Sequence, residues 1–264
     1  MIGFNNLGNM GRLGNQMFEY ATLRGIAANK KYDWCIPPFN IKGIENYSLD
    51  RAFTLPSVQE RNLMILDNGH APVVGERYFH FDKELFDLCP DHISLNGFFQ
   101  TEKYFKHIED EIRKDFEWRD DVKKLCQDMF DSIGGKAISL HIRRTDHLLK
   151  PTYHPVLPLT YYEDALSKFP SDLPVIVFSD EPHWVNLNEF FDDDRFLVSE
   201  SGDNITDMCL MSMCQYHIMA NSTYSWWGAW LSNSKDVIAP KLWFGPDGQD
   251  PRDVYVDRWL YLDV

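Results

Sequence analysis

The chain has 264 residues, with 40 acidic against 26 basic side chains, a formal net charge of −14 and 44% hydrophobic residues. At roughly 150 residues per domain this leaves room for two small domains or one large one. The balance is that of a globular chain and excludes disordered and fibrous classes, and the acid surplus excludes a nonspecific nucleic-acid binder, which needs a net basic surface. No apolar run reaches the ~18 residues of a membrane span, and Met1-Ile2-Gly3-Phe4-Asn5-Asn6 lacks the basic-then-apolar order of a secretory signal. Five cysteines (Cys35, Cys89, Cys126, Cys209 and Cys214) include no Cys-x-x-Cys pair, which predicts buried free thiols in a reducing cytoplasm.

In chain order, the first feature is a glycine-rich loop, Gly8-Asn9-Met10-Gly11-Arg12-Leu13-Gly14-Asn15-Gln16, running into a helix. Glycine there permits positive φ and close backbone approach. The loop is neither a dinucleotide fingerprint nor a P-loop, because it lacks G-x-G-x-x-G and a Gly-Lys-Ser/Thr ending. The helix is expected over Gln16 to Asn29, with Phe18, Ala21, Gly25 and Ala28 on one face, and Pro37-Pro38 breaks the chain after it. Glu102 to Phe116 carries Glu109 with Arg113 and Asp110 with Lys114 at i,i+4, which predicts an exposed helix. Gly134-Gly135 marks the expected boundary between an N-terminal domain, 1–133, and a C-terminal one, 134–264.

The C-terminal half then alternates regularly. Ala137 to Ile142, Pro174 to Phe178, Arg195 to Val198, His217 to Ala220 and Val237 to Ala239 are short apolar runs of the kind buried on both faces of a sheet. Between them lie helix-like segments, Leu159 to Phe169, Pro182 to Phe191, Asn204 to Cys214 and Tyr224 to Leu231. Such alternation reads as a parallel, Rossmann-like α/β sheet.

Open parallel sheets bind ligands at the carboxyl ends of their strands, and those ends are polar here. The first carries His141-Ile142-Arg143-Arg144-Thr145-Asp146, where an arginine fork suits a diphosphate; the competing reading makes both arginines ion-pair partners of nearby acids. The second ends in Ser179-Asp180-Glu181, which reads first as a helix cap before Pro182 and secondly as a source of a catalytic carboxylate. The turn Asn221-Ser222-Thr223-Tyr224-Ser225 leads into a helix, so its hydroxyls, backbone N–H groups and helix dipole offer an anion site. The Met and Trp residues around it are expected to be core. Asp192-Asp193-Asp194 spells a metal-type Asp-x-Asp but follows Phe190-Phe191 at a helix end, which predicts a solvated acidic turn. There is no His-Glu-x-x-His cluster and no G-x-S-x-G elbow.

Several segments resemble one family in order and spacing. GRLGNQMFEYATLRGIA (Gly11 to Ala27) is similar to the G-G-L-G-N-Q-M-F-Q-Y-A opening of the α-1,2-fucosyltransferases of glycosyltransferase family 11, and HIRRTD (His141 to Asp146) to its H-x-R-R-x-D motif. FSDEPHW (Phe178 to Trp184), ANSTYSWWGAWL (Ala220 to Leu231) and GFFQTEKYF (Gly97 to Phe105) resemble further motifs of the set. The chain departs from the pattern at Arg12, in place of a second glycine, and in lacking an apolar first strand within Met1 to Met10.

The resemblance implies a GT-B fold, two Rossmann-like α/β domains facing a cleft. It implies transfer of fucose, with inversion, from GDP-β-L-fucose to the 2-hydroxyl of a terminal β-galactoside, without cofactor or essential metal. Carried over by position, Arg143 would hold the donor β-phosphate and His141 would line the nucleotide site. Asp207 would contact guanine, and Ser222 and Thr223, flanked by Asn221 and Ser225, would bind the diphosphate. Asn15 and Gln16 would stand on the sugar or acceptor side. Arg143 and Asp146 form the expected catalytic set, with Asp180, Glu181 and Glu102 as other candidates for the base. The implied partners are GDP-fucose and a galactose-terminated oligosaccharide or lipid-linked glycan, and the implied location is the cytoplasm or the inner face of a membrane. Other readings are a GT-B transferase with a different donor or linkage, and a non-catalytic sugar-nucleotide or glycan binder.

Overall fold

The structure is a computed structural model that describes every residue except Gly43 and Glu45. It divides into two compact units, Met1–Arg119 with Asp250–Val256, and Asp120–Gln249 with Asp257–Val264.

Among the described residues the N-terminal unit carries a parallel sheet of β1 (Ile2–Gly3), β2 (Trp34–Cys35), β3 (Val73–Gly75) and β4 (Ser94–Asn96) in the order β2-β1-β4-β3. A first strand therefore exists, contrary to the sequence expectation. It is only two residues long, too short for a period to register, yet Ile2 and the following Phe4 are fully buried. The helices here are α1 (Leu13–Lys30), α2 (Leu49–Ala52), α3 (Lys83–Leu88) and α4 (Glu109–Asp115).

The continuous helix expected over Glu102 to Phe116 is broken into 3-10 turns at Glu102–Tyr104 and Lys106–Ile108 followed by α4. The reason is packing: a Cβ on Gly25 of α1 would sit 2.0 Å from the Tyr104 carbonyl oxygen, so the turn lies directly on the glycine of the helix. The expected Glu109–Arg113 pair forms, at 2.9 Å. At the end of α4, fully buried Asp115 accepts from Arg24, from Tyr20 Oη at 2.9 Å and from the Ser57 N–H at 3.0 Å, which ties α4 to α1.

The C-terminal unit begins with α5 (Asp120–Ser132), so the boundary lies before this helix and not at Gly134-Gly135. The charged residues of α5 hide its attachment, which is made by buried Cys126 and Phe130; Cys126 Sγ donates to the Thr206 carbonyl of the same unit at 3.6 Å. The excursion Asp250–Val256 belongs to the N-terminal unit because Asp253 accepts from the Phe81 N–H at 2.8 Å and from Lys103 Nζ at 2.6 Å.

The elements that follow are β5 (Ile138–Ile142), α6 (Thr145–Leu149), α7 (Leu159–Leu166), β6 (Val175–Ser179), α8 (Pro182–Asn186), β7 (Phe196–Val198), α9 (Asn204–Met213), β8 (Tyr216–Ile218), α10 (Thr223–Ser232), β9 (Asp236–Pro240) and β10 (Leu260–Leu262). The described strands form one parallel sheet in the order β10-β9-β8-β5-β6-β7. All five expected strands are present, and edge strand β10 is an addition. The segment expected as one helix from Pro182 to Phe191 is split by Asn188, whose side chain accepts from the Phe190 N–H at 3.0 Å and starts a new 3-10 turn, Glu189–Phe191. The five cysteines are free and buried, and Trp226, Trp227, Trp230, Met208 and Met211 are core.

Candidate active site

The chain runs outward from β5 through β6 to β7, then returns to β8 on the other side of β5. The carboxyl ends of β5 and β8 thus flank the topological switch point, where open α/β sheets take their ligands. Arg143 leaves the end of β5, and Asn221 to Ser225 leave the end of β8. The rings of His141 and Tyr224 meet across this point at 5.5 Å.

Both arginines already have acidic partners. Arg143 pairs with Asp146 Oδ1 at 2.7 Å and with Asp180 Oδ2 at 3.2 Å. Arg144 pairs with Glu181 Oε2 at 2.7 Å and lies 3.8 Å from the centroid of the Trp184 ring. Arg143 therefore presents a guanidinium held rigidly from two sides, while Arg144 is spent on Glu181 and Trp184. Asp180 is a cap, although not of the helix that follows it. It accepts from the Arg144 N–H at 2.9 Å, the Thr145 N–H at 3.2 Å and the Thr145 hydroxyl, and so fixes the start of α6. Burial opposes ionisation of Asp146, but the Arg143 hydrogen bond and charge prevail and hold its carboxyl below the usual range.

Ser222 is the N-cap of α10, its Oγ accepting from the Tyr224 N–H at 3.3 Å, and Thr223 opens the helix. Ser225 is buried and donates to backbone carbonyls of Ala220 and Ser222, so it builds the turn. Asn221 is also buried. Its Nδ2 donates to the Pro155 and Trp243 carbonyls, while its Oδ1 has no partner among the described residues. Asp207 stands in the first turn of α9, where it accepts from Ser199 Oγ at 2.5 Å and Ser201 Oγ at 2.7 Å. Burial raises its pKa and the two hydroxyls oppose that rise. Tyr224 Oη donates to the Asn204 carbonyl at 2.5 Å, joining the first turns of α9 and α10.

In the N-terminal unit, Gly11 holds φ +63° and a Cβ there would meet the Asn15 side chain at 2.4 Å, so the glycine makes room for that amide. Asn15 Oδ1 accepts from Gln100 Nε2 at 3.2 Å. Gln16 is fully buried, donating to the Asn46 carbonyl at 2.7 Å and accepting from the Ser48 N–H at 3.0 Å, which makes it a brace for the loop ahead of α2. Glu102 is buried and pairs with Lys106 at 2.9 Å.

Three groups escaped the sequence reading. Glu19 on α1 is fully buried with neither carboxylate oxygen partnered among the described residues, and burial, with Glu76 adding to it, raises its pKa to about 9. A lone carboxylate inside Met17-Phe18-Glu19-Tyr20-Ala21 was the available signal. His147 and His154 stack in parallel at 5.0 Å, a pairing that depends on the turn at Pro151 and has no local signature. Asp192 to Asp194 form an exposed turn, with Asp193 accepting from the Arg195 N–H at 2.9 Å. Among the described residues no group of three or more His, Cys, Asp or Glu is placed to hold a metal ion.

With this geometry in place, the family described as Glycosyl transferase family 11 matches residues 1–263. The chain belongs to glycosyl transferase family 11. It is 36% identical over 185 residues to the O-antigen biosynthesis glycosyltransferase WbnK of Escherichia coli, an alignment that spans 64% of this chain and 60% of that protein. Over 96% of this chain and 97% of the relative it is 28% identical to an alpha-1,2-colitosyltransferase of Escherichia coli. Over 97% of this chain and 78% of the relative it is 26% identical to galactoside alpha-(1,2)-fucosyltransferase 2 of Sus scrofa. Among solved structures, fucosyltransferase NodZ from Bradyrhizobium shares the fold at TM-score 0.59 and 13% identity, covering 91% of this chain and 94% of its own; a NodZ α-1,6-fucosyltransferase co-crystallized with GDP aligns at TM-score 0.56. The fold of this family 11 glycosyltransferase is the α/β GT-B type.

Proposed function

We propose that this family 11 enzyme transfers L-fucose, with inversion, from GDP-β-L-fucose to the 2-hydroxyl of a terminal β-galactoside, without a metal. The observation that carries the reading is Arg143 at the β5–β8 switch point, held by Asp146 and Asp180, two residues beyond His141, whose ring meets Tyr224 in the first turn of the ten-residue helix α10. In this reading Arg143, Ser222, Thr223 and the N–H groups of α10 receive the diphosphate, with Asn221 and Ser225 shaping the turn, His141 lining the nucleotide and Asp207 meeting guanine. Asn15 serves the sugar or acceptor side and Gln16 braces it.

The mechanism follows from where charge develops. As the fucosyl C1–O bond breaks, its electron pair goes to the β-phosphate oxygen while positive charge grows on the sugar ring. Arg143 and the α10 N-terminus face the leaving group, and each preorganised donor of this kind is worth about 3 to 4 kcal/mol. The acceptor hydroxyl needs a base in a one-step inversion. Asp180 and Glu181 are committed to α6 and to Arg144; Asp146 is also paired, with Arg143, but its side chain is 53% exposed, and it is the base we assign in this unit. The relative that is an alpha-1,2-colitosyltransferase favours a second reading, in which the sugar is colitose. The acceptor is a galactose-ended oligosaccharide or lipid-linked glycan, and five free buried thiols favour a reducing compartment, the cytoplasm or the inner face of a membrane.

The test is GDP release from GDP-fucose in EDTA, with and without lactose. Lactose-dependent release with a 2-linked fucosyl product is expected. Release that requires added manganese would overturn the metal-free assignment, preference for a colitose donor would install the second reading, and failure to bind GDP-fucose would remove the donor assignment.

A further inference from the structure

A nucleotide sugar brings a doubly negative diphosphate to Arg143, yet Arg143 is already matched by two carboxylates, Asp146 and Asp180. The next pair, Arg144 and Glu181, is neutral by itself. The end of β5 therefore holds no uncompensated guanidinium charge for the incoming anion, and further positive charge has to come from elsewhere.

Imidazoles are the groups placed to supply it. His147, on α6, and His154, beyond the turn at Pro151, lie ring to ring at 5.0 Å with 11° between their planes. His147 is buried, and its Nδ1 has no hydrogen-bond partner among the described residues; the same holds for Nδ1 of buried His141. The groups facing His147 are His154, Asp146, Arg143 and the Pro155 carbonyl. Those facing His154 are Asp146, Lys150 and Arg143, with the Tyr153 and Phe244 rings closing on it at 4.6 and 5.4 Å. His141 faces Arg143, Asp180 and His147. An unpartnered nitrogen in such a place is ready to become a donor.

We propose that the His147–His154 pair takes up a proton from solvent as the diphosphate settles beside Arg143, and releases it when the nucleotide leaves. The proposal rests on the reading of Arg143 as the diphosphate ligand. Empty, the pair is neutral: burial first, then the neighbouring His154 and Arg143, hold His147 at about 4, and burial lowers His154 as well. An anion within a few ångströms reverses the neighbour effect and favours the imidazolium. A group whose pKa is higher in the complex than in the free protein strengthens binding most at low pH and loses that benefit as pH rises through the pKa of the complex. The same positive charge then faces the β-phosphate oxygen as the C1–O electron pair arrives there.

Calorimetric titration of the whole chain with GDP-fucose at pH 7, in PIPES and in Tris, reads the proton count directly, because this diphosphate diester has no group of its own titrating near neutrality. About one proton taken up per nucleotide is expected, with Kd rising about tenfold per pH unit between the pKa of the free pair and that of the complex and levelling off above the latter. The His147→Gln, His154→Gln double variant should bind more weakly at pH 6 than the wild type, without proton uptake and with a flat pH profile; single His154→Gln, at the less buried ring, serves if the double variant melts early. GDP-fucose binding by the wild type with no proton exchanged, or uptake undiminished in the variants, would overturn the proposal while leaving the donor reading intact. A chain that binds neither GDP-fucose nor GDP would overturn both.

Discussion

The carboxyl edges of the two parallel sheets carry different chemistries. At the end of β5 the side chains are guanidinium, carboxylate and imidazole, locked together by Arg143–Asp146, Arg143–Asp180 and Arg144–Glu181. Beyond β1 and β4 stand amides, Asn5 bonded to the Leu66 backbone, Asn6 to Asn96 at 2.9 Å and Asn15 to Gln100 at 3.2 Å, with the Glu76 carboxylate accepting from the Phe98 and Phe99 N–H groups. An amide donates and accepts at once, as a sugar hydroxyl does, whereas a fixed guanidinium beside a helix N-terminus selects an anion. In the proposed reading the charged edge suits the anionic leaving group and the amide edge a hydroxylated sugar.

The largest effect that would break this comparison is at the charged edge. Arg143→Ala should lower kcat/KM by about 10²- to 10³-fold or more with the protein still folded, and Arg143→Lys should recover little because the two-pronged geometry is gone. Near wild-type turnover by Arg143→Ala, with melting unchanged, would dissolve the distinction between the edges.

The units should also respond to pH in opposite senses. Glu19 has its folded pKa raised from 4.5 to about 9, so its protonated form belongs to the fold and stability is lost as pH rises through that interval. At pH 7 this costs about 3 kcal/mol, and Glu19→Gln should recover much of it and flatten the alkaline limb of a melting-temperature profile. In the C-terminal unit burial lowers His141 to about 3 and His147 and His217 to about 4, from 6.5. Their neutral forms belong to the fold, so stability is lost as pH falls below 6.5 toward those values. Circular-dichroism melts between pH 4 and 9 check both limbs; an alkaline limb unchanged by Glu19→Gln would remove the assignment of Glu19.

The smallest expected effect is at Ser222. Replacing this N-cap by alanine should cost about 1 kcal/mol of stability and weaken nucleotide binding a few-fold, which separates its cap role from its ligand role when melting and Kd are measured together.

Much of the charged edge was legible in the residues themselves. Five strands declared themselves because apolar runs such as Ile138–Ile142 and Val175–Phe178 are bounded by turns, although edge strand β7 is only half-buried rather than covered on both faces, and His141 to Asp146 and Asn221 to Ser225 lie just past two of them. The amide edge was harder to read, since its strands are two or three residues long and a period needs more length to show. Glu102 to Phe116 was misread as one helix for a related reason: i,i+4 charges report helical spacing, while the contact of Gly25 with Tyr104, 79 positions apart, decided the break.

The sequence by itself determined the alternation of strand and helix in the C-terminal half, the core role of its tryptophans, and the order of the family's motifs. Tertiary structure alone decided the long-range neighbours of the buried polar groups. Asp180 caps α6 because β6 pairs in register with β5, Gln16 braces Asn46 and Ser48, Glu19 is left without a partner among the described residues, and His147 meets His154. Local spacing fixes backbone period, but the protonation and partners of a side chain depend on burial and on groups brought from distant parts of the chain.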